Sequence, residues 1–402
     1  TRCVGSKCDP DQDDRIMTSA LRVLHCPTNV GDHPQGLARA ERELGLQSRL
    51  VSFKEHAFGY PIDEVLWPAG IGQLRREFRR WQLLRRALRE FDVIHFNFGS
   101  TIMPQRFSAN HTALTSRPRL LQWFYRSYAA AFEFRDLDWL KRAGVATVMC
   151  YQGDDARQGD YCREHFELSI ADEVDADYYI PADDRLKRER IARMAGVVDR
   201  VYSLNPDLLH VLPENAQFLP YASVDPDDWQ PPEMKPGERD RPLVIHAPTH
   251  RGAKGTRFVV EAVNRLQQQG IEFEFVLVEG MSHAEARVVY EKADVLIDQL
   301  LAGWYGGLAV ELMALGKPVI AYIRPEDLKF LPPGMHADLP ITQATPTTIE
   351  EVLRHVLTDD RQLLASTGAQ CRQFVERWHN PRTIAQRVRD DYEQIVRKIR
   401  GE

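Results

Sequence analysis

The chain has 402 residues, 43% of them hydrophobic and 27% charged, with 58 acidic against 52 basic side chains and a net charge of −6. That length exceeds one ordinary core and predicts two domains, and the slight acidic excess gives no global attraction for nucleic acid. Six cysteines without a Cys-x-x-Cys pair, and no apolar run long enough to span a bilayer, predict a reducing, cytoplasmic setting rather than a secreted or membrane-spanning protein.

Residues 1–20 are polar and aperiodic and read as a disordered or extraneous tail; Cys3 and Cys8 within it make only half of a metal site. From Leu21 onward, short β-branched or aromatic runs alternate with helical periods, at Leu21–Cys26, Arg49–Phe53, Val93–Phe98, Ala146–Tyr151 and Arg200–Leu204. A second series occupies Leu243–His246, Phe273–Val278, Val295–Asp298 and Val319–Ile323. Alternation of this kind predicts an α/β protein with two Rossmann-like, doubly wound parallel sheets facing across a cleft. The domains are expected at 21–225 and 243–380, joined by a charged, proline-rich linker at 226–242. Residues 381–402 read as a helix that can cross back to the first domain, with Ile384, Val388, Tyr392, Ile395 and Ile399 as its apolar stripe.

Six stretches bear on chemistry. After the first strand, a loop with Gly31 and Gly36 leads into a helix. Next, LRREFRRWQLLRRALR at 74–89 has seven arginines beside a stripe of Leu74, Phe78, Trp81, Leu84 and Leu88. Such a helix packs on a sheet by that stripe, or lies on the inner face of a membrane as a peripheral contact. The aromatic group Trp123, Phe124, Tyr125 and Tyr128 reads as core packing, with an acceptor pocket as the alternative. At another strand end stands YQGDDAR, in which one of Asp154 and Asp155 can cap a helix.

In the second half, VIHAPTHRGAKGTRF places Arg251 and Lys254 beside a helix start. There they can neutralise a diphosphate, although a solvated basic loop is the plain alternative. The run DQLLAGWYGGLAVELMALGKPVIAYI at 298–323 reads as strand, glycine loop and helix. Free amides at Gly306, Gly307 and Leu308, with the helix dipole behind them, suit a diphosphate, and Glu311 one turn in can accept ribose hydroxyls. No Asp-x-Asp metal motif stands at a strand end in the second domain; the acidic runs Asp11–Asp14 and Asp225–Asp228 belong to tail and linker.

The last run resembles the C-terminal signature of family 4 retaining glycosyltransferases of the GT-B fold. In that signature a glutamate, seven residues and a second glutamate precede Ala-Met-Ala-x-Gly-x-Pro-Val. Glu311 matches the second glutamate and LMALGKPVI the residues after it, while Gly303 stands in place of the first; a subgroup with Asp-Gln-Leu-Leu and Gly-Trp-Tyr-Gly here is similar. The resemblance implies a donor site of Arg251, Lys254, Gly255, Tyr305, Gly306, Gly307, Leu308 and Glu311. It likens Gly31 and Gly36 to the opening glycine loop, and YQGDDAR to His-Gly-x-Asp, so that Gln152, Asp154 and Asp155 become the catalytic candidates.

The implied activity is metal- and cofactor-independent transfer of a sugar from a nucleotide-diphosphate-sugar, a UDP-sugar above others, with retention. The acceptor is a glycan, a lipid-linked sugar or a small molecule. A sugar-nucleotide epimerase and a non-catalytic nucleotide-sugar-binding protein are the alternatives.

Overall fold

The computed structural model describes residues 20–56, 59–106 and 119–402. Cys3, Cys8, Asp11–Asp14 and the rest of the predicted tail before Ala20 lie outside them. The described strands form two wholly parallel sheets. The first holds β1 (Arg22–Cys26), β2 (Gln47–Ser52), β3 (Glu64–Val65), β4 (Val93–Asn97), β5 (Ala146–Tyr151), β6 (Arg200–Ser203) and β7 (Gln217–Phe218), ordered β3-β2-β1-β4-β5-β6-β7. The second holds β8 (Leu243–His246), β9 (Glu274–Leu277), β10 (Val295–Ile297), β11 (Val319–Ala321) and β12 (Thr342–Gln343), ordered β12-β11-β10-β8-β9. Every residue of β4, β5, β8 and β10 is buried. Continuous burial is what a parallel sheet covered on both faces requires, and it explains why these strands read as unbroken apolar runs.

Helices α1 (His33–Glu43), α2 (Gln73–Glu90), α3 (Arg119–Phe132), α4 (Arg135–Arg142), α5 (Gly159–His165) and α6 (Pro181–Ala195) accompany the first sheet. The second carries α7 (Arg251–Lys254), α8 (Thr256–Gln268), α9 (His283–Lys292), α10 (Gly307–Ala314), α11 (Met335–Asp338), α12 (Ile349–Leu357) and α13 (Leu364–Trp378). The last helix, α14 (Pro381–Arg400), packs on α1 and β5. Its Ile384, Val388 and Tyr392 share one apolar cluster with Val23, Leu37 and Val148 of the N-terminal domain and with Leu296, Val310 and Val319 of the C-terminal one. The segment 226–242 lies along the C-terminal domain: Trp229 is buried, Arg372 donates to the Pro226 carbonyl at 2.9 Å, and Asp294 accepts the Gly237 N–H at 2.9 Å.

Two packing expectations are corrected. In α2 the buried residues are Arg80, Leu83, Leu84 and Ala87, while Leu74 and Phe78 face solvent at 87% and 64% exposure. Arg80 wins the inner place because its guanidinium lies over the Phe53 and Trp67 rings at 4.9 and 5.0 Å, pairs with Glu77 at 3.0 Å and donates to the Ile102 carbonyl. A long stem and a planar head can bury where a bare charge cannot. In α3, Trp123 and Phe124 are 65% and 64% exposed, so they are neither core nor pocket lining, and Ala129 is the buried residue there.

Candidate functional site

Between the domains lies a cavity of about 500 Å³. Its lining comes from segments that succeed strands: Val30 and Gly31 after β1, Phe98 after β4, Gln152 to Asp154 after β5, Tyr221 after β7, Ala247 to Thr249 after β8, and Val278 to Met281 after β9. Parallel sheets leave their carboxyl ends open in this way, which is why ligands settle there.

The C-terminal wall is built around a buried carboxylate. Asp298, just past β10, holds Lys254 Nζ at 2.8 Å with one oxygen and accepts the Gly306 N–H at 2.7 Å with the other. A Cβ on Gly306 would stand 3.2 Å from that ammonium, so the glycine permits the close approach. Gly307 and Leu308, the first residues of α10, line the cavity together with Lys254. Gly255, at φ +72°, ends α7 and starts α8, turning the chain so that Lys254 points inward. Glu311 also lines the cavity and bonds His283 Nε2 at 3.0 Å. That hydrogen bond raises the His283 pKa above its ordinary value, against the opposing effect of burial. His283 opens α9, which is fixed by a capping box between Ser282 and Glu285.

Other donor candidates sit elsewhere. Arg251 is 66% exposed and forks onto Glu279 at 2.5 and 2.8 Å. Tyr305 is fully buried, stacks on Trp304 and bonds His379 through its hydroxyl at 2.8 Å, so it braces the glycine loop from behind. Gly303 has φ +79°, and a Cβ there would meet the Arg324 guanidinium at 2.4 Å. Arg324 is itself buried, paired with Asp327 at 2.9 Å and bonded to the Leu168 carbonyl at 3.0 Å.

On the N-terminal wall Gln152 and Asp154 line the cavity, whereas Asp155 turns back to accept the Gly153 and Gln152 amides at 2.7 and 3.0 Å. Burial lifts the Asp155 pKa to about 6. Burial would raise Asp154 as well, but the Arg157 charge and hydrogen bonds from the Tyr178 and Tyr179 hydroxyls, both at 2.6 Å, outweigh it and hold the carboxyl below its usual range. Asp154 is thus a committed anion. Gln152 donates to Asn97 at 3.3 Å, and its Oε1 is buried with no hydrogen-bond partner among the described residues. Gly31 borders the cavity at φ +59°, while Gly36 lies inside α1, where a Cβ would come within 2.0 Å of the Ala222 carbonyl oxygen.

Three cavity residues were not among the candidates that the sequence suggested. Arg157 enters from the N-terminal side, held by Asp207 at 2.8 Å and Asp154 at 3.0 Å; it is the YQGDDAR arginine, whose inward turn is set by the Asp207 partner fifty residues on. Tyr60 brings its ring to 5.0 Å from His283 across the domains. His283 itself could have been found from Ser-x-x-Glu, which marks a helix start beside a strand end. Among the described residues, no group of three or more His, Cys, Asp and Glu is placed to hold a metal ion.

Two parallel-sheet α/β domains of seven and five strands, open to each other at their carboxyl ends, define the GT-B fold, and solved glycosyltransferase structures match it. Anabaena HepE in complex with UDP-glucose is similar over 93% of this chain and 100% of its own, at 12% identity and TM-score 0.56. The catalytic domain of starch synthase IV from Arabidopsis thaliana, bound to ADP and acarbose, matches over 94% and 100% at 12% identity and TM-score 0.56. Sucrose-phosphate synthase from Thermosynechococcus elongatus matches over 93% and 99% at 14% identity and TM-score 0.53. No protein-family model and no curated protein matches the chain.

Proposed function

We propose that this protein is a glycosyltransferase that takes a sugar from a nucleotide-diphosphate donor, UDP-linked above others, and passes it to a hydroxyl acceptor with retention. The observation that carries the reading is the convergence of Lys254, the α10 N-terminus and Glu311 on one wall of the interdomain cavity. Lys254 and the Gly307 and Leu308 amides hold the diphosphate, and Glu311, steadied by His283, takes the ribose hydroxyls. Arg157, opposite, adds a second cation near the leaving group, in the role that sequence reasoning assigned to Arg251.

In the proposed step the bond from the anomeric carbon to the phosphate oxygen breaks and the acceptor oxygen bonds that carbon from the same face. The acceptor proton passes to the departing phosphate. Lys254, Arg157 and the helix dipole meet the charge that develops, so no metal is called for. Asp154, already holding three donors, orients Arg157 rather than acting as a base, and Gln152 stands beside it on the same cavity wall, on the side proposed for the sugar and acceptor.

Calorimetry with UDP, ADP and their sugars tests donor binding, and release of free sugar from the tightest-binding donor tests cleavage. Donor binding with slow hydrolysis is expected. An isomerised donor would instead indicate an epimerase, and binding with an intact donor a non-catalytic protein.

A further inference from the structure

Helices α2 and α3 lie side by side. The Trp81 indole donates to the Tyr128 hydroxyl at 3.0 Å, that hydroxyl reaches Glu77 at 3.1 Å, and the Trp81 and Phe132 rings meet edge to face at 5.4 Å. From this contact a stripe runs N-terminally along each helix at helical spacing, through Phe78 and Leu74 on α2 and through Phe124, Leu121 and Leu120 on α3. These side chains stand in solvent: Leu74 is 87% exposed, Leu120 77%, and Trp123 65%. Scattered exposed apolar residues are ordinary, but a group of this size on two adjoining helices marks a contact surface.

Charge decides what it contacts. The two helices carry nine arginines against two acids, Glu77 and Glu90, on a chain whose net charge is −6. Arg75, Arg85, Arg89 and Arg119 are exposed, whereas Glu77 is turned to Arg80 and Tyr128. A second copy would bring the same cations face to face and repel. A bilayer with anionic headgroups supplies negative charge and an acyl interior together, and no described helix is long and apolar enough to cross it.

We infer that α2 and α3 form a peripheral docking face for an anionic lipid bilayer. Leu74, Phe78, Leu120, Leu121, Trp123 and Phe124 enter the boundary between headgroups and acyl chains, and the flanking arginines pair with lipid phosphates. No residue of either helix is among the described residues that line the interdomain cavity, so this face and the donor site are separable.

The test is co-sedimentation with vesicles of phosphatidylglycerol and phosphatidylcholine, against vesicles of phosphatidylcholine alone. The full chain should partition at least tenfold more strongly onto the anionic vesicles, and the preference should shrink at high salt. A Leu74→Ser, Phe78→Ser, Trp123→Ser, Phe124→Ser variant should lose at least tenfold of that partitioning, as should an Arg75→Gln, Arg85→Gln, Arg119→Gln variant. Both should keep the wild-type melting temperature and nucleotide affinity. No partitioning, or equal partitioning onto both vesicles, overturns the inference. So does a dimer seen by light scattering that the serine variant dissolves, since the face then joins two copies. None of these readouts involves sugar transfer, so failure here and failure of the catalytic reading are told apart.

Discussion

Lys254 and Asp298 meet at 2.8 Å, and the free oxygen of that carboxylate accepts the Gly306 amide at 2.7 Å. One buried acid therefore sets the position of a cation from one loop and the start of a helix from another. The proposed diphosphate site would thus be assembled from pieces more than forty residues apart in sequence, with Asp298 as their common anchor.

Removing that anchor should cost stability. Asp298→Ala leaves the Lys254 charge and the Gly306 N–H without their partner, a loss of about 3–5 kcal/mol for breaking a buried pair. Denaturant unfolding measures it, and a loss under about 1 kcal/mol would show that the anchor carries little.

Lys254→Gln should weaken UDP binding at least tenfold, or about 1.4 kcal/mol, while leaving UMP binding within about twofold. Equal losses for the two nucleotides in calorimetry would place Lys254 away from the second phosphate.

Glu311→Ala should weaken UDP and UMP alike by at least about tenfold, because the ribose is common to both. The His283 partner adds a pH signature. Its folded pKa is raised by the Glu311 hydrogen bond, so the stability it contributes is fully present below the unfolded value of about 6.5 and is lost as pH rises through the higher folded value. The stability gap between wild type and His283→Gln should accordingly be wider at pH ~6 than at pH ~9. A constant gap in paired denaturation curves would separate the histidine from that proton.

Placing a glutamate at Gly303, where the signature that this run resembles has its first carboxylate, should harm rather than help. The position has φ +79°, and the new Cβ would lie 2.4 Å from the Arg324 guanidinium, which already serves Asp327 and the Leu168 carbonyl. Strain and overpacking together should cost about 2–4 kcal/mol, with no gain in transfer. A more active variant of undiminished melting temperature would contradict this.

Gly36→Ala offers a contrast with ordinary helix behaviour. Alanine usually stabilises a helix interior by about 0.5–1 kcal/mol over glycine, but here its methyl would strike the Ala222 carbonyl at 2.0 Å. Destabilisation of about 1–3 kcal/mol is expected from calorimetric melting. Unaltered stability would mean that α1 can shift off Ala222 freely.

The doubly wound architecture was legible because β1, β4, β5, β8 and β10 are apolar runs separated by helical periods. Strands β3, β7 and β12 were not, since two residues each leave no alternation to read. Helix α2 misled because it has two apolar sides, and only a guanidinium stacked on Phe53 and Trp67 distinguishes the inner one. Within the cavity, Lys254 and Glu311 stood next to glycines and helix starts, which are local signals. Arg157 did not: its place depends on Asp207, a contact that no local pattern encodes. Asp298 was visible as a strand end, but its link to Lys254 joins the segments after two neighbouring strands, β8 and β10, whose pairing no local pattern encodes.

Helix α14 closes the N-terminal domain from the far end of the chain. Tyr392 bonds His95 at 2.6 Å and Glu41 at 3.1 Å, Asp391 takes Arg200 at 2.9 Å together with the Tyr202 hydroxyl, and Arg382 reaches Glu43 at 2.7 Å. On the ribosome, the nascent first half must wait for the whole second half to be translated, roughly ten to thirty seconds at ordinary elongation rates, before this cover arrives. Through that interval the apolar face that α1 and β5 turn toward this helix stays bare, a natural foothold for a chaperone and the stage at which aggregation competes with folding.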